Sequence, residues 1–174
     1  MEIMDFLLFL LYTVAIAYLS VVLPGFIWGA GYEPTPKKVV KEFVELLNAL
    51  GMDGKTVYEV GGGFGRVAFC VLSKTRCNVV FIEPDPFKVW WATKRAKKKG
   101  FSRRFFALRK SALDVNYSGA DIVYCFLTPW LMNKLKSVFE TQLKEGALVV
   151  SYRHKLKDWK PVLETSGGLR VYKK

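Results

Sequence analysis

The sequence is poor in the residues that hold transition metals. It has one histidine, His154, and three cysteines in 174 residues. Cys70, Cys77 and Cys125 lack the close spacing of zinc or iron ligands, and each lies in an apolar context. We therefore expect no metal site, and we expect buried free thiols in a reducing compartment.

Charge is absent from a long stretch near the N-terminus. Residues 6–32 contain no charged side chain, and the first basic residue is Lys37. As a helix, residues 6–23 would extend about 27 Å, close to the thickness of a bilayer's hydrocarbon core. A cleavable signal peptide is the competing interpretation, but Glu2 and Asp5 stand where such a peptide carries positive charge.

Basic residues are concentrated after this stretch. All 27 lysines and arginines follow residue 32, and the formal net charge is +12. We interpret residues 1–32 as a retained single-pass anchor and residues 33–174 as a separate domain. The positive-inside rule then places the domain in the cytoplasm against an anionic leaflet, with the N-terminus outside the cell. Trp28 and Tyr32 are expected at the membrane interface.

Apolar periodicity predicts alternating strands and helices in residues 33–174. Two short strands joined at Gly167–Gly168 are predicted at the end. Alternation of this kind gives a mainly parallel sheet with helices on both faces, so the expected fold class is α/β, preceded by one transmembrane helix. The predicted longer strands are KTVYEV, NVVFIE, RRFFALRK, ADIVYCFL and ALVVSYR.

The first of these strands runs into a glycine-rich turn, VYEVGGGFGRV, before the next helix. Glycine loses more freedom on folding than any other residue, so Gly61, Gly63 and Gly65 indicate close approach of a ligand to the backbone. The dinucleotide pattern G-x-G-x-x-G would need glycine at position 66, where Arg66 stands. The turn alone therefore does not identify the ligand.

A carboxylate at the end of the second strand is the stronger signal. Glu83 follows the strand VVFI, and it lies near the offset of about 20 residues at which an acid binds ribose hydroxyls in nucleoside-binding folds. A carboxylate accepts two hydrogen bonds from a vicinal diol. The turn and Glu83 together predict a nucleoside ligand; a solvent-facing glutamate is the plainer alternative.

This pair of motifs resembles the Rossmann-like S-adenosylmethionine-dependent methyltransferases. With YEPTPKKVV, FIEPD, FLT and VVSYRHKLKDW in the same order, the chain is similar to small archaeal protein-lysine methyltransferases and to membrane-anchored ATP synthase c-subunit lysine methyltransferases. The resemblance covers roughly residues 32–160. It implies S-adenosylmethionine as the cofactor.

The resemblance also implies roles for individual residues. Glu59 and the three glycines of the turn are expected at the methionine end of the cofactor, and Glu83 at its ribose. Ser111 is expected beside adenine, and Thr35 in a segment that folds over the cofactor. Two positions depart from the family pattern: Phe64 replaces a usual acid, and Ser111 is a weaker acceptor than a carboxylate.

Methyl transfer is an in-line displacement that needs alignment and a neutral nucleophile more than acid–base groups. A dry slot lowers the pKa of an amine, and aromatic faces favour the methylated cation. The resemblance places Thr128 at the mouth of the substrate pocket. We expect Trp130 and Tyr152 to line the pocket, with Tyr124 and Trp159 as further aromatic candidates; each of these four aromatics is also a plausible core residue.

The leading hypothesis is a membrane-anchored protein-lysine N-methyltransferase that acts on a lysine near the membrane, such as one on the rotor of an ATP synthase. A phospholipid-headgroup N-methyltransferase fits the anchor and slot equally well. Leu127 argues against a nucleic-acid substrate, because enzymes that methylate base amines carry a hydrogen-bond acceptor at this strand end. Phe64 and Ser111 keep open a catalytically silent scaffold. The sequence does not reveal the oligomeric state.

Overall fold

The computed structural model describes residues 3–27 and 33–174 and divides the chain into two compact units, Met1–Glu33 and Pro34–Lys174. Trp28 and Tyr32, predicted at a membrane interface, lie outside the described residues.

The first unit contains one long helix, α1, from Ile3 to Ile27. It is long and apolar enough to cross a membrane by length and composition, and the side chains of Ile3–Ser20 are exposed. The sequence predicted a helix ending at Leu23. Instead, the helical backbone continues across Pro24, since a proline removes one hydrogen bond without having to end a long apolar helix.

The second unit, whose residues are all described, contains four α-helices and seven strands. The helices are α2 (Lys37–Ala49), α3 (Arg66–Lys74), α4 (Pro86–Lys98) and α5 (Pro129–Gln142), and the strands are β1 (Thr56–Val60), β2 (Asn78–Ile82), β3 (Phe105–Leu108), β4 (Ile122–Cys125), β5 (Leu148–Tyr152), β6 (Leu163–Glu164) and β7 (Leu169–Lys173).

All seven strands form one sheet in the order β3-β2-β1-β4-β5-β7-β6. Strands β1 to β5 pair in parallel, whereas β7 is antiparallel to both β5 and β6. The predicted mainly parallel sheet and the predicted terminal strand pair are confirmed. The strand order reverses between β1 and β4, and ligands bind α/β sheets of this kind outside the carboxyl ends of the strands at such a point.

Apolar residues cover both faces of the sheet. Helices α2, α3 and α4 share one hydrophobic cluster with alternate residues of the strands, including Val79 and Phe81 of β2. On the other face, the ring of Tyr117 lies 5.8 Å from Tyr58 of β1 and 5.1 Å from Phe139 of α5. The sheet is therefore a buried middle layer between helices.

The three cysteines are free, as predicted. Cys77 and Cys125 are buried and Cys70 is half-buried. Burial raises the pKa of all three thiols, which favours their protonated form at neutral pH.

Candidate cofactor and substrate site

The predicted site residues gather at the carboxyl ends of the parallel strands. Glu59 lies near the end of β1, and Glu83 directly follows β2. Thr128 follows β4, and Tyr152 ends β5. Because the carboxyl ends of parallel strands lie at one edge of a sheet, four residues that are distant in sequence are brought to the same edge.

The glycine turn between β1 and α3 uses backbone conformations that other residues rarely adopt. Gly61, Gly63 and Gly65 have φ values of 73°, 56° and 76°. A Cβ at Gly61 would lie 2.8 Å from Leu127 Cδ2, and one at Gly65 would lie 2.6 Å from Phe69 Cε2. Part of the glycine requirement therefore comes from the fold itself: its turn geometry and its own side chains, besides any ligand.

The carboxylate of Glu83 ties the glycine turn to the start of α4. It accepts hydrogen bonds from Gly63 N (2.8 Å, to Oε2) and from Asp85 N (3.2 Å, to Oε1). Glu83 is only 6% exposed, and burial raises its pKa while these two N–H donors oppose the shift. The Glu83 side chain therefore holds the glycine turn in position through the hydrogen bond that it accepts from Gly63 N.

These contacts leave Glu83 able to bind a diol. A carboxylate has about four lone-pair positions on its two oxygens, and the backbone occupies only one on each. The remaining positions can accept the two hydroxyls of a ribose. The positive-φ turn beside this carboxylate fits the methionine end of S-adenosylmethionine, so the residues present suit that cofactor.

Asp85 supports this arrangement, although the sequence patterns did not single it out. Its side chain accepts hydrogen bonds from Phe87 N and Lys88 N and so caps α4, and its other oxygen lies 3.3 Å from Lys88 Nζ in a buried ion pair. The signal was available, since an aspartate directly before a proline is a common helix start.

Glu59 is the most deeply buried acid of the site. It is 3% exposed, and its Oε2 accepts a hydrogen bond from Ala68 N of α3 over 3.0 Å. Burial is the main cause that raises its pKa to about 8; the bond from Ala68 lowers it and the neighbouring Glu83 raises it further. A cation bound beside Glu59 would favour its ionised form.

Hydrogen bonds tie Thr35 to β4 and to α3. It is buried, its hydroxyl lies 3.3 Å from the hydroxyl of Tyr124, and its carbonyl accepts a hydrogen bond from Arg66 Nη1 over 2.9 Å. We call residues 34–36 the strap. In the sequence pattern, Arg66 stands where a dinucleotide motif would have glycine; in the structure, it begins α3 and anchors the strap through the Thr35 carbonyl.

The two departures from the family pattern have local structural roles. The Ser111 hydroxyl accepts a hydrogen bond from Leu113 N and caps a short 3-10 turn at Ala112–Asp114. The ring of Phe64 lies edge-on to Phe87 (6.4 Å between centroids) and to Trp91 (6.5 Å) of α4. The cap does not test the adenine contact of Ser111, which stays a prediction.

The predicted substrate residues are less buried. Thr128 caps α5 by accepting a hydrogen bond from Leu131 N, and Trp130 in the first turn is 56% exposed. The ammonium of Lys134 lies 4.2 Å from the centroid of the Trp130 ring. Tyr152 is half-buried with its ring 4.8 Å from that of Phe126, a residue that the sequence patterns did not indicate.

The two further aromatic candidates are placed differently. Tyr124 is buried, with its ring 4.7 Å from Phe43 in the core. Trp159 packs against Tyr172 and donates a hydrogen bond from Nε1 to Glu140. Trp130 and Tyr152 lie at the strand ends with partly exposed rings, whereas Tyr124 is buried; all four aromatic candidates remain predicted substrate-pocket residues.

A parallel sheet with a reversal between β1 and β4, a glycine turn after β1 and a carboxylate after β2 define the class of Rossmann-like S-adenosylmethionine-dependent methyltransferases. Comparison with protein families makes the assignment specific. The chain belongs to the family described as the ANTKMT methyltransferase domain, whose model matches residues 59–163.

Three curated relatives are all lysine methyltransferases by name. A protein-lysine N-methyltransferase of Saccharolobus islandicus is 29% identical over 131 residues, covering 75% of this chain and 80% of that protein. The adenine nucleotide translocase lysine N-methyltransferase of Mus musculus is 30% identical over 140 residues (79% and 58%). The ATP synthase c-subunit lysine N-methyltransferase of Xenopus laevis is 26% identical over 131 residues (75% and 56%). The chain thus spans little more than half the length of the two vertebrate proteins.

Among solved structures, an RNA methyltransferase from Salinibacter ruber in complex with S-adenosyl-L-homocysteine is 30% identical, with a TM-score of 0.73 over 80% of this chain and 91% of that one. S-adenosyl-L-homocysteine is the demethylated product of S-adenosylmethionine. The predicted family, fold and cofactor are therefore confirmed, and the chain is a methyltransferase.

Proposed function

We propose that this protein is a membrane-anchored protein-lysine N-methyltransferase whose substrate lysine lies near the cytoplasmic face of the cell membrane. The observation that carries the proposal is the joining of Glu83 to the glycine turn in a chain whose three curated relatives bear lysine N-methyltransferase names.

Each group of residues has a separate task in this proposal. Glu83 binds the ribose diol, Glu59 and the turn hold the methionine end, Ser111 lies beside adenine, and the strap with Thr35 excludes water. The cofactor supplies a methyl group on a positively charged sulfur. The chain contributes mainly alignment, which in favourable cases lowers a barrier by about 7–11 kcal/mol.

The strand ends β4 and β5 receive the substrate amine. Trp130 and Tyr152 offer aromatic faces that attract an ammonium group. The ammonium of Lys134 already lies over the Trp130 ring, which supports this role for the ring. Leu127, buried beside Gly61, adds an apolar wall that favours the neutral amine.

Membrane attachment is supported by helix α1 and by the charge distribution. The helix is apolar along Ile3–Ser20, and every basic residue of the chain follows residue 32. We propose residues 1–32 as a single-pass anchor with the N-terminus outside and residues 33–174 as the catalytic domain inside. A substrate lysine close to the bilayer would be reached from this position.

RNA is the second candidate substrate, because the Salinibacter protein carries that activity in its name and the chain is strongly basic. Leu127 argues against it, since an alkyl side chain cannot accept a hydrogen bond from a base amine. A lipid headgroup remains a third class that the same assay tests.

The test is to incubate the full chain and a Glu83→Ala control with radiolabelled S-adenosylmethionine and membranes from its source cells, and to separate protein, lipid and RNA. We expect acid-stable label in the protein fraction that mass spectrometry assigns to methyllysine, and none with the control. Label confined to lipid or RNA overturns the lysine proposal. Cofactor binding without label in any fraction would instead indicate a silent scaffold.

The anchor is tested separately by carbonate extraction of membranes that contain the full chain. A spanning helix keeps the protein in the pellet, whereas release into the supernatant would contradict the anchor without affecting the methyl-transfer result.

A further inference from the structure

Helix α4 carries its large aromatic residues on the outside. Its buried residues are Lys88, Ala92 and Ala96, and Val89 packs partly buried against the core. On the outer face, Phe87, Trp90 and Trp91 are 52%, 52% and 46% exposed. Folding normally buries large aromatic side chains, so a helix that exposes two tryptophans and a phenylalanine indicates an interaction surface.

These aromatics form one continuous surface. The ring of Phe87 stacks on Trp90 at 5.8 Å and lies 6.4 Å from Trp91. Phe64, from the glycine turn, is edge-on to both Phe87 and Trp91. The surface therefore reaches from the outside of α4 to the cofactor turn.

The same helix face becomes basic toward its C-terminus. Lys94 and Lys98 follow Phe87, Trp90 and Trp91 at helical spacing, so all five lie along one stripe, and all five are exposed. We call these five residues the α4 ridge.

We propose that the α4 ridge seats the domain on an anionic bilayer surface. Exposed tryptophan and phenylalanine beside lysine is the composition that lies in a membrane interface, where the rings enter the headgroup region and the lysines are attracted to anionic lipid. The apolar helix α1 of the same chain would keep the domain at a membrane, and the basic net charge of the chain matches an anionic leaflet.

A bilayer accounts for the ridge better than a protein partner does. The aromatic part of the ridge matches the apolar layer of a bilayer, and its lysines match the anionic headgroups, and a lipid surface offers both side by side. Since Phe64 belongs to the aromatic cluster, this seating would hold the cofactor turn close to the lipid surface. The inference rests on the proposed membrane attachment, and it adds a second contact that orients the domain.

The test uses the chain's five tryptophans as reporters. In one full-length variant, Trp28, Trp130 and Trp159 become Phe, which leaves Trp90 and Trp91. In the matched control, only Trp159 is kept. Both are reconstituted in phosphatidylcholine vesicles with or without one-third phosphatidylglycerol, using acyl chains that carry bromine, a contact quencher of tryptophan.

We expect bromine to lower the Trp90–Trp91 emission about twofold in anionic vesicles, and to leave the Trp159 reporter nearly unchanged. Lys94→Glu with Lys98→Glu should restore most of the emission. Absence of quenching at Trp90 and Trp91, or quenching that the two lysine substitutions do not alter, overturns the proposal.

Carbonate extraction of the same vesicles separates this inference from the anchor. Protein that stays in the pellet but is not quenched shows that α1 is inserted and that the ridge does not touch lipid. If a Trp90→Ser/Trp91→Ser variant of such a protein methylates peptide normally but loses only protein substrate, the ridge binds protein and the lipid proposal is wrong.

Discussion

The two halves of the candidate site differ in how strongly their side chains are held in place. On the β1–β2 side, Glu59 and Glu83 are buried, and each accepts a backbone hydrogen bond within the fold. On the β4–β5 side, Trp130 is exposed and Tyr152 only half-buried. This difference agrees with the proposed roles, in which the first half holds the cofactor and the second receives the substrate lysine.

This difference has a physical reason. A cofactor of fixed shape is bound most tightly by groups that are already in position, because less freedom is lost on binding. A substrate lysine brings its own chain and surroundings, so an open aromatic surface can admit it and still attract its charge. The comparison predicts that substitutions on the two sides change different measured constants.

The largest effect is expected at Glu83. Glu83→Ala removes the proposed acceptor of the ribose hydroxyls and the hydrogen bond from Gly63 N. We expect S-adenosylmethionine affinity to fall at least about 100-fold, as two charge-assisted hydrogen bonds to the ribose are lost. Calorimetry measures the dissociation constant. Glu145→Ala, at an 86% exposed carboxylate near the opposite edge, is the control. Unchanged affinity in Glu83→Ala would remove the ribose role.

Gly61 and Gly100 offer a matched pair. Their φ values are 73° and 74°, but a Cβ at Gly61 would collide with Leu127 whereas one at Gly100 meets nothing within 4 Å. Gly100→Ala should cost about 1–2 kcal/mol of stability from the backbone alone. Gly61→Ala should cost more and also weaken cofactor binding. Equal melting temperatures for the two variants would contradict this.

Glu59 should make stability depend on pH. Because its pKa rises to about 8 from an ordinary value of 4.5, the folded state holds a proton that the unfolded chain releases. This contribution is complete below pH 4.5 and is lost as pH rises to about 8, amounting to a few kcal/mol at about 1.4 kcal/mol per pKa unit. Chemical denaturation across this range measures it. Glu59→Gln should flatten the profile, and an unchanged slope would assign it to other groups.

On the open side, Trp130→Ala should lower kcat/KM for a substrate lysine about fivefold, since an exposed cation–π contact contributes about 1 kcal/mol. The dissociation constant of S-adenosylmethionine should not change. Trp130→Phe, which keeps an aromatic face, should recover most of the activity. A change in cofactor affinity instead would show that the two halves are not separate.

The smallest effect is expected at the strap. Arg66→Ala removes the hydrogen bond to the Thr35 carbonyl, and we expect cofactor affinity to fall about threefold, as for one hydrogen bond near the surface. Arg66→Lys, which restores a donor, should recover part of it. If faster cofactor release does not accompany the loss in stopped-flow measurements, Arg66 does not hold the strap closed.

Much of the fold could be predicted because periodicity and turn chemistry are local. The strand–glycine–helix order around residue 61 and the acid at Glu83 lie within single elements, so the sequence shows them directly. Contacts between elements could not be predicted. Arg66 with Thr35, and Phe64 with Trp91, join segments whose distance in space depends on packing.

The order of elements, the apolar N-terminal helix and the nucleoside motifs were determined by the sequence alone, because spacing along the chain is enough to specify them. Only the tertiary structure decided that Glu83 accepts a hydrogen bond from the glycine turn, that burial raises the pKa of Glu59, and that α4 exposes its tryptophans. Burial and partnership depend on which elements meet, and that is settled only when the sheet assembles and the helices pack onto it.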